Sequence, residues 1–267
     1  MHSSMNRRQF IKTSAAAGAA MIYGRLPPKY TKSHVLTLSF DDGFKKSFYR
    51  ITEIHQEYGL LACLNVIATG HLKEYPIQDD WIKKDMLGDF DDWNTLKSQG
   101  HEVMPHTWQH LNLTKIPLEQ AKQNIDKCLS FFAENLEGYQ ANETVYNFAY
   151  NASTPELDNY VLERVPALRT GGWLVLKDSM ANPLPIASPI SLGCWGHGPD
   201  YCDQYIDQEV NKFLTSEGDW LILNLHGLDG EGWGPLSTNY LDSLLKRLVK
   251  IDHLGVLPTA EVLKKFS

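Results

Sequence analysis

Two adjacent carboxylates, Asp41 and Asp42, close an apolar, β-branched run from Val35 to Phe40 and are followed by Gly43. Neighbouring residues on a strand point to opposite faces, so the two acids need not share a job: one can bind a metal ion while the other takes a proton. Asp-Asp-Gly is also good turn chemistry after a strand, and the pair alone leaves both readings open. His106 and His110 carry the argument further. Their i, i+4 spacing predicts two imidazoles on one side of a helical turn, within reach of a single ion. Two histidines and one carboxylate make a three-ligand set with an open position for water, the arrangement of catalytic zinc; Co, Ni and Mn also suit it, and zinc is the default. His226 ends the apolar run Trp220 to Leu225, ahead of the acidic, glycine-bearing loop from Gly227 to Gly234. At such a rim a histidine suits proton transfer; its plainer reading is a surface histidine after a strand.

The elements that must hold these residues alternate in type. The strand at Val35 to Phe40 gives way after Gly43 to the helical pattern of Phe48, Ile51, Ile54 and Tyr58. A strand around Ala62 to Ala68, a helix around Phe90 to Lys97, a strand at Glu102 to Pro105 and a long helix from Leu118 to Glu134 follow. Val145 to Ala149 reads as a strand, Pro155 to Glu163 as a helix and Ala167 to Thr170 as a short strand. The Gly- and Pro-bearing stretch from Ala181 to Pro199 reads as an irregular insertion that runs on to Asp203, before a helix near Gln204 to Leu214. A strand at Trp220 to Leu225, a helix from Tyr240 to Lys250, a strand at Gly255 to Leu257 and a last helix opened by Thr259 complete the chain. Alternating β/α units imply a mostly parallel sheet closed as a barrel, with chemistry in the loops at the strands' C-terminal ends.

With 267 residues, 43% of them hydrophobic and 21% charged, the chain can bury one sizeable core, and a single catalytic domain is expected over residues 31–267. A formal net charge of -7 offers no basic field to nucleic acid or anionic lipid. Residues 1–30 differ, because Asn6-Arg7-Arg8-Gln9-Phe10-Ile11-Lys12 precedes a short run of small and apolar residues from Ala15 to Ile22. This resembles a twin-arginine export signal with its linker, and predicts export of a folded protein to the periplasm or exterior of a bacterial cell; a disordered basic tail is the alternative. The run is too short to span a membrane, and no later stretch approaches that length. Cys63, Cys128, Cys194 and Cys202 lack CxxC spacing, which argues against thiolate ligation of a metal. Cys194 and Cys202 are left as either a short loop disulfide or buried free thiols.

Three segments in order, Leu38-Ser39-Phe40-Asp41-Asp42-Gly43, His106-Thr107-Trp108-Gln109-His110 and Leu223-Asn224-Leu225-His226, resemble the motifs of the polysaccharide deacetylases, carbohydrate esterase family 4. Gly100-His101-Glu102-Val103 also resembles the family's approach to its second motif. The resemblance implies an α/β fold, a deformed (β/α)7-8 barrel, and a divalent-metal-dependent hydrolase of N- or O-acetyl groups on a glycan. It makes Asp42, His106 and His110 the metal ligands, Asp41 the general base and His226 the general acid. A bound divalent ion brings a water's pKa down to about 7, Asp41 takes its proton during attack on the acetyl carbonyl, and His226 protonates the departing sugar nitrogen or oxygen.

The family's third motif normally supplies an arginine that orients the base, then a proline and an aromatic residue whose backbone N–H helps stabilise the oxyanion. The aligned segment here is Phe148-Ala149-Tyr150-Asn151-Ala152. It resembles a variant subgroup with Phe-Ala-Tyr-Pro and no arginine, and Asn151 replaces the proline. Arg169, at the end of the next strand, is the expected substitute for the missing arginine. Asn224 stands where the family tends to place a leucine against the acetyl group, which implies a more polar or reshaped pocket. Ala152 and the loop tryptophans Trp173, Trp195 and Trp233 are substrate-binding candidates, the indoles for stacking on sugar rings, with core plugs as the other reading. Two further functions fit these residues. One is hydrolysis of a small cyclic amide or imide, usually a cytoplasmic activity and so disfavoured by the export signal. The other is non-catalytic carbohydrate binding, disfavoured by the intact set of five.

Overall fold

The computed structural model describes residues 32–266. Along the chain run β1 (His34–Phe40), α1 (Lys45–Glu57), β2 (Cys63–Val66), α2 (Phe90–Ser98), β3 (Glu102–Pro105), α3 (Leu118–Asn135), β4 (Val145–Asn147) and α4 (Pro155–Leu162). They are followed by β5 (Ala167–Gly171), α5 (Gly172–Val175), β6 (Ile190–Gly196), α6 (Cys202–Leu214), β7 (Asp219–Leu225), α7 (Thr238–Leu248), β8 (Leu254–Val256) and α8 (Thr259–Phe266).

Helices cover the sheet with apolar stripes at i, i+3, i+4 spacing, such as Phe48, Ile51 and Ile54 of α1 and Leu241, Leu244, Leu245 and Leu248 of α7. Each such side chain contributes roughly 1.5–3 kcal/mol by leaving water. Helix starts follow side-chain chemistry: Asp89 and Asp92 form a reciprocal capping box on α2, and Thr154 caps α4 ahead of Pro155. Strands β1 to β5 are buried along their whole length, as parallel strands flanked by helices must be.

Every ladder is parallel, in the order β3-β2-β1-β7-β6-β5-β4. The centre is β1, which pairs with β7 from His34–Asp219 to Phe40–Leu225. Its other edge is shared: β8 takes His34 to Leu36, and β2 takes Ser39 and Phe40. Strands β3 and β4 meet without a ladder; there the Asn147 side-chain amide donates to the Pro105 carbonyl at 3.2 Å, and the Val145 N–H reaches the Met104 sulfur at 3.4 Å. The result is a single-domain, deformed barrel of seven strands, nearly closed.

One strand departs from the sequence reading. The stretch from Ala181 to Pro199 is not an irregular insertion: it contains β6, a full strand between β5 and β7. Ser191, Gly193 and Gly196 are poor strand formers, and Pro185 and Pro189 precede them, so local propensity hides the strand. Gly193 is required by close approach, since a Cβ there would lie 2.5 Å from Leu176 Cγ, just after α5.

Candidate active site

The site stands at the C-terminal ends of the strands. The ladder between β1 and β7 runs one residue past β1, the Asp41 N–H donating to the Leu225 carbonyl at 2.8 Å. Asp42 then adopts φ 78°, a left-handed conformation that breaks the strand alternation. The two carboxylates therefore face one site rather than opposite faces: Asp41 Oδ2 is 3.6 Å and Asp42 Oδ1 3.5 Å from His106 Nε2.

The histidine pair also converges by a different route from the helical turn expected. His106 follows β3, and positive φ at Thr107 (63°) and His110 (53°) folds the segment into a non-helical turn, held by the Thr107 hydroxyl accepting from the His110 N–H at 3.0 Å. His110 Nε2 comes within 3.2 Å of Asp42 Oδ1. Ligand atoms of Asp42, His106 and His110 all lie within 4.8 Å of one another, and all three residues are buried. Neither Asp42 oxygen receives a hydrogen bond, although both are buried. A buried carboxylate without donors is costly unless a cation meets it, so the residues fit a divalent ion. The second ring nitrogens are spoken for: His106 Nδ1 lies 3.1 Å from the Asn147 carbonyl, and His110 Nδ1 2.7 Å from Asp79 Oδ2. Donation from Nδ1 leaves each Nε2 as the lone-pair nitrogen.

Charge shapes the site. Burial alone would raise the pKa of Asp42, but the His110 and His106 imidazoles outweigh it and hold the group ionised. Burial likewise opposes ionisation of Asp41, and the Arg169 guanidinium with His106 overcomes it. His110 is pushed down by burial and lifted above its ordinary value by Asp42 and Asp79. In His226, desolvation prevails over the attraction of Asp42 and Asp41 and lowers the pKa, which favours the neutral imidazole.

Arg169 is wholly buried on β5 and donates from Nη2 to Asp41 Oδ2 at 2.6 Å. The same oxygen accepts from Asn224 Nδ2 at 2.7 Å, and Asp41 Oδ1 accepts from Asn65 Nδ2 at 2.8 Å. Asn151 Nδ2 in turn donates to Asn224 Oδ1 at 2.9 Å, so these two asparagines bond to each other behind Asp41.

Above these groups opens a cleft of about 360 Å³ floored by Asp41, His106, His110 and His226 and walled by Trp81, Tyr150, Trp173 and Trp233. The Trp173 and Trp233 candidates thus line it, Trp173 with 59% of its surface exposed. Trp195 does not: its indole N–H donates to the Met180 carbonyl and its ring packs on the core. Ala152 also stands outside the lining, its N–H directed to the Ala149 carbonyl at 3.3 Å. A larger groove, of about 540 Å³, lies at the strands' N-terminal ends beside Glu102, Thr144 and Pro166 and holds none of the candidate residues.

All four cysteines are buried and free, so Cys194 and Cys202 form no disulfide; the Cys194 thiol donates to the Thr170 carbonyl, and that of Cys202 to the His197 carbonyl. Sequence reasoning missed Asp79, Trp81, Asn65 and Asn147. Asn65 and Asn147 carried a signal, a polar residue inside an apolar strand run; Asp79, in a loop with no motif, carried none.

Comparison with known proteins supplies a family context. A family model described as polysaccharide deacetylase matches residues 29–163, and one for the twin-arginine translocation signal matches residues 4–22, which lie outside the described residues. No curated protein matches the sequence. Among solved structures, a putative polysaccharide deacetylase from Mycobacterium smegmatis is 12% identical with a TM-score of 0.64, covering 90% of this chain and 92% of its own. The peptidoglycan deacetylase PdaC from Bacillus subtilis is 16% identical with a TM-score of 0.55, covering 88% and 93%. A structure described as a CE4 family pseudoenzyme from Bacillus anthracis is 14% identical with a TM-score of 0.53, covering 88% and 66%. The N-terminal signal marks the chain for export, and no helix among the described residues is long and apolar enough to cross a membrane.

Proposed function

Because this chain belongs to the polysaccharide deacetylase family, we propose that it hydrolyses N- or O-linked acetyl groups on an extracytoplasmic glycan with the aid of a divalent ion held by Asp42, His106 and His110. The observation that carries the reading is the orphaned, buried Asp42 carboxylate facing two imidazole nitrogens beside a second, well-supported carboxylate, Asp41. A divalent ion bound there, with zinc the default for this donor set, supplies Lewis acidity to the acetyl carbonyl and acidifies water.

The chain's own residues divide the proton work. Asp41 takes the proton of the attacking water as the new C–O bond forms. Arg169, Asn224 and Asn65 fix the carboxylate's plane, so its orientation needs no adjustment during the step. His226 borders the same cleft with Nδ1 free of any hydrogen bond; its imidazole rests neutral, so it first picks up a proton and then, as imidazolium, delivers it to the sugar nitrogen or oxygen as that atom's bond to the acyl carbon breaks. Acetate and a free amine or hydroxyl are the products. Trp173 and Trp233 line the cleft and are the residues assigned to stack on the sugar rings of the substrate.

The test is acetate release from a panel of acetylated chitin oligomers, peptidoglycan, exopolysaccharide and xylan, set against cyclic ureides. Ureide turnover alone would move the reading to small cyclic amides. A second reading, glycan binding without catalysis, is favoured by the altered segment from Phe148 to Ala152 and by the likeness to a pseudoenzyme. Binding of the panel by metal-loaded protein with no acetate release would establish it.

A further inference from the structure

The carboxylate of Asp79 belongs to none of the three motifs, yet it stands directly behind a ligand nitrogen. Resting on the metal reading above, we propose that Asp79 is the positioning residue for the ligand His110, and that Tyr150 locks it in place. Asp79 lies in the long connection between β2 and α2, 31 residues before His110, and its Oδ2 is 2.7 Å from His110 Nδ1. Both side chains are largely buried, with 9% and 5% of their surface exposed. An ion can be taken at Nε2 only in the tautomer with the proton on Nδ1, and a carboxylate acceptor at that position selects this tautomer and fixes the ring plane.

The other ligand is held differently. His106 Nδ1 meets a neutral backbone carbonyl, that of Asn147, at 3.1 Å. A charged acceptor raises the donor strength of an imidazole more than a neutral one does, so the two histidines are unequal ligands and His110 is the stronger. Asp79 itself is held by the Tyr150 phenol, which donates to its two oxygens at 2.9 and 2.8 Å. Tyr150 reaches it from a left-handed backbone conformation, φ 58°, uncommon for an aromatic residue, and its ring also lies against that of His110 at 4.8 Å between centroids. Because Tyr150 walls the substrate cleft as well, one side chain joins the cleft to the support of the ligand.

The test reads zinc affinity without substrate, by competition with a chromophoric chelator, and the visible absorption spectrum of the cobalt-loaded protein. Asp79→Ala is expected to weaken zinc binding by roughly 10–100-fold, the range for loss of such a supporting carboxylate, and to alter the cobalt spectrum. Asp79→Asn, which keeps an acceptor oxygen but not the charge, should fall between Asp79→Ala and the wild type. Circular dichroism of each variant controls for folding, and if Asp79→Ala does not fold, Asp79→Asn decides alone. Affinity within twofold of wild type, with an unchanged spectrum, in the folded variant would overturn the assignment of Asp79 and leave the metal site standing. A wild-type protein that binds no divalent ion would overturn both.

Discussion

Arg169 Nη2 stands 2.6 Å from Asp41 Oδ2, across 128 residues of sequence, with both side chains buried. Burial shields the pair from bulk solvent, and the remaining guanidinium nitrogens, Nε and Nη1, have no hydrogen-bond partner among the described residues. An arrangement so poorly satisfied at one end makes little sense as a stability device, since a buried ion pair seldom outperforms apolar packing. It is suited to holding a carboxylate ionised and fixed in plane.

Removing that donor should therefore damage turnover more than metal binding. Arg169→Ala is expected to lower kcat by up to the roughly 10²–10⁴-fold that a positioned base contributes, while bound metal, read by elemental analysis, stays at wild-type stoichiometry. The unpaired Asp41 charge should also lower folding stability by about 3–5 kcal/mol. Unchanged turnover in the folded variant would sink the orienting role.

Asp41→Asn separates chemistry from binding. The amide keeps the side chain's size but cannot take a proton, so acetate release should fall by at least roughly 10² while the metal content is retained. Loss of metal together with activity would instead make Asp41 a ligand.

Metal removal gives a prediction in stability. A ligand present at a thousand times its Kd stabilises the native state by about 4 kcal/mol, which for a domain of this size corresponds to a rise in Tm of roughly 8–16 °C. Chelation should reverse that rise in the wild type. Asp42→Ala should melt at the same temperature with or without the metal; a metal-dependent Tm in that variant would remove Asp42 from the ligand set.

A pH dependence of folding follows from His55, away from the site. Its ring is buried in α1 with Nδ1 2.7 Å from the Ile51 carbonyl, and desolvation drives its pKa down to about 4. In the unfolded chain the group titrates near ~6.5. Between those values the unfolded state binds the extra proton, so this contribution is complete above the unfolded pKa and is lost as the pH falls towards 4, by up to about 3 kcal/mol. Urea unfolding with chelator present, at pH 7 and again near pH 4, should show His55→Gln losing less stability on acidification than the wild type. Equal losses would refute it.

How far the sequence carries depends on whether the deciding physics is local. The candidate ligand triad and the two catalytic candidates were legible as a cluster because each follows a strand in a recognisable motif, and the barrel was legible because apolar strands alternate with helical stripes. The turns that bring the site together were not, since Asp42 and His110 tolerate a positive φ without requiring it and the β-branched Thr107 disfavours one. Likewise β6 is fixed by neighbours on both sides rather than by its own propensity, and Asp79 acquires its place only from contacts with His110 and Tyr150.

The gap between β3 and β4 bears on how the barrel breathes. Parting any other adjacent pair around the barrel would break a backbone ladder, whereas here the links all involve a side chain, Asn147 to Pro105, His106 to Asn147 and Val145 N–H to the Met104 sulfur, a hydrogen bond of this kind being worth about 1 kcal/mol net. The seam with no backbone ladder thus runs past His106, a candidate metal ligand. Because His106 Nδ1 is itself one of the bonds across this seam, any group that fixes the His106 ring also steadies the contact between β3 and β4.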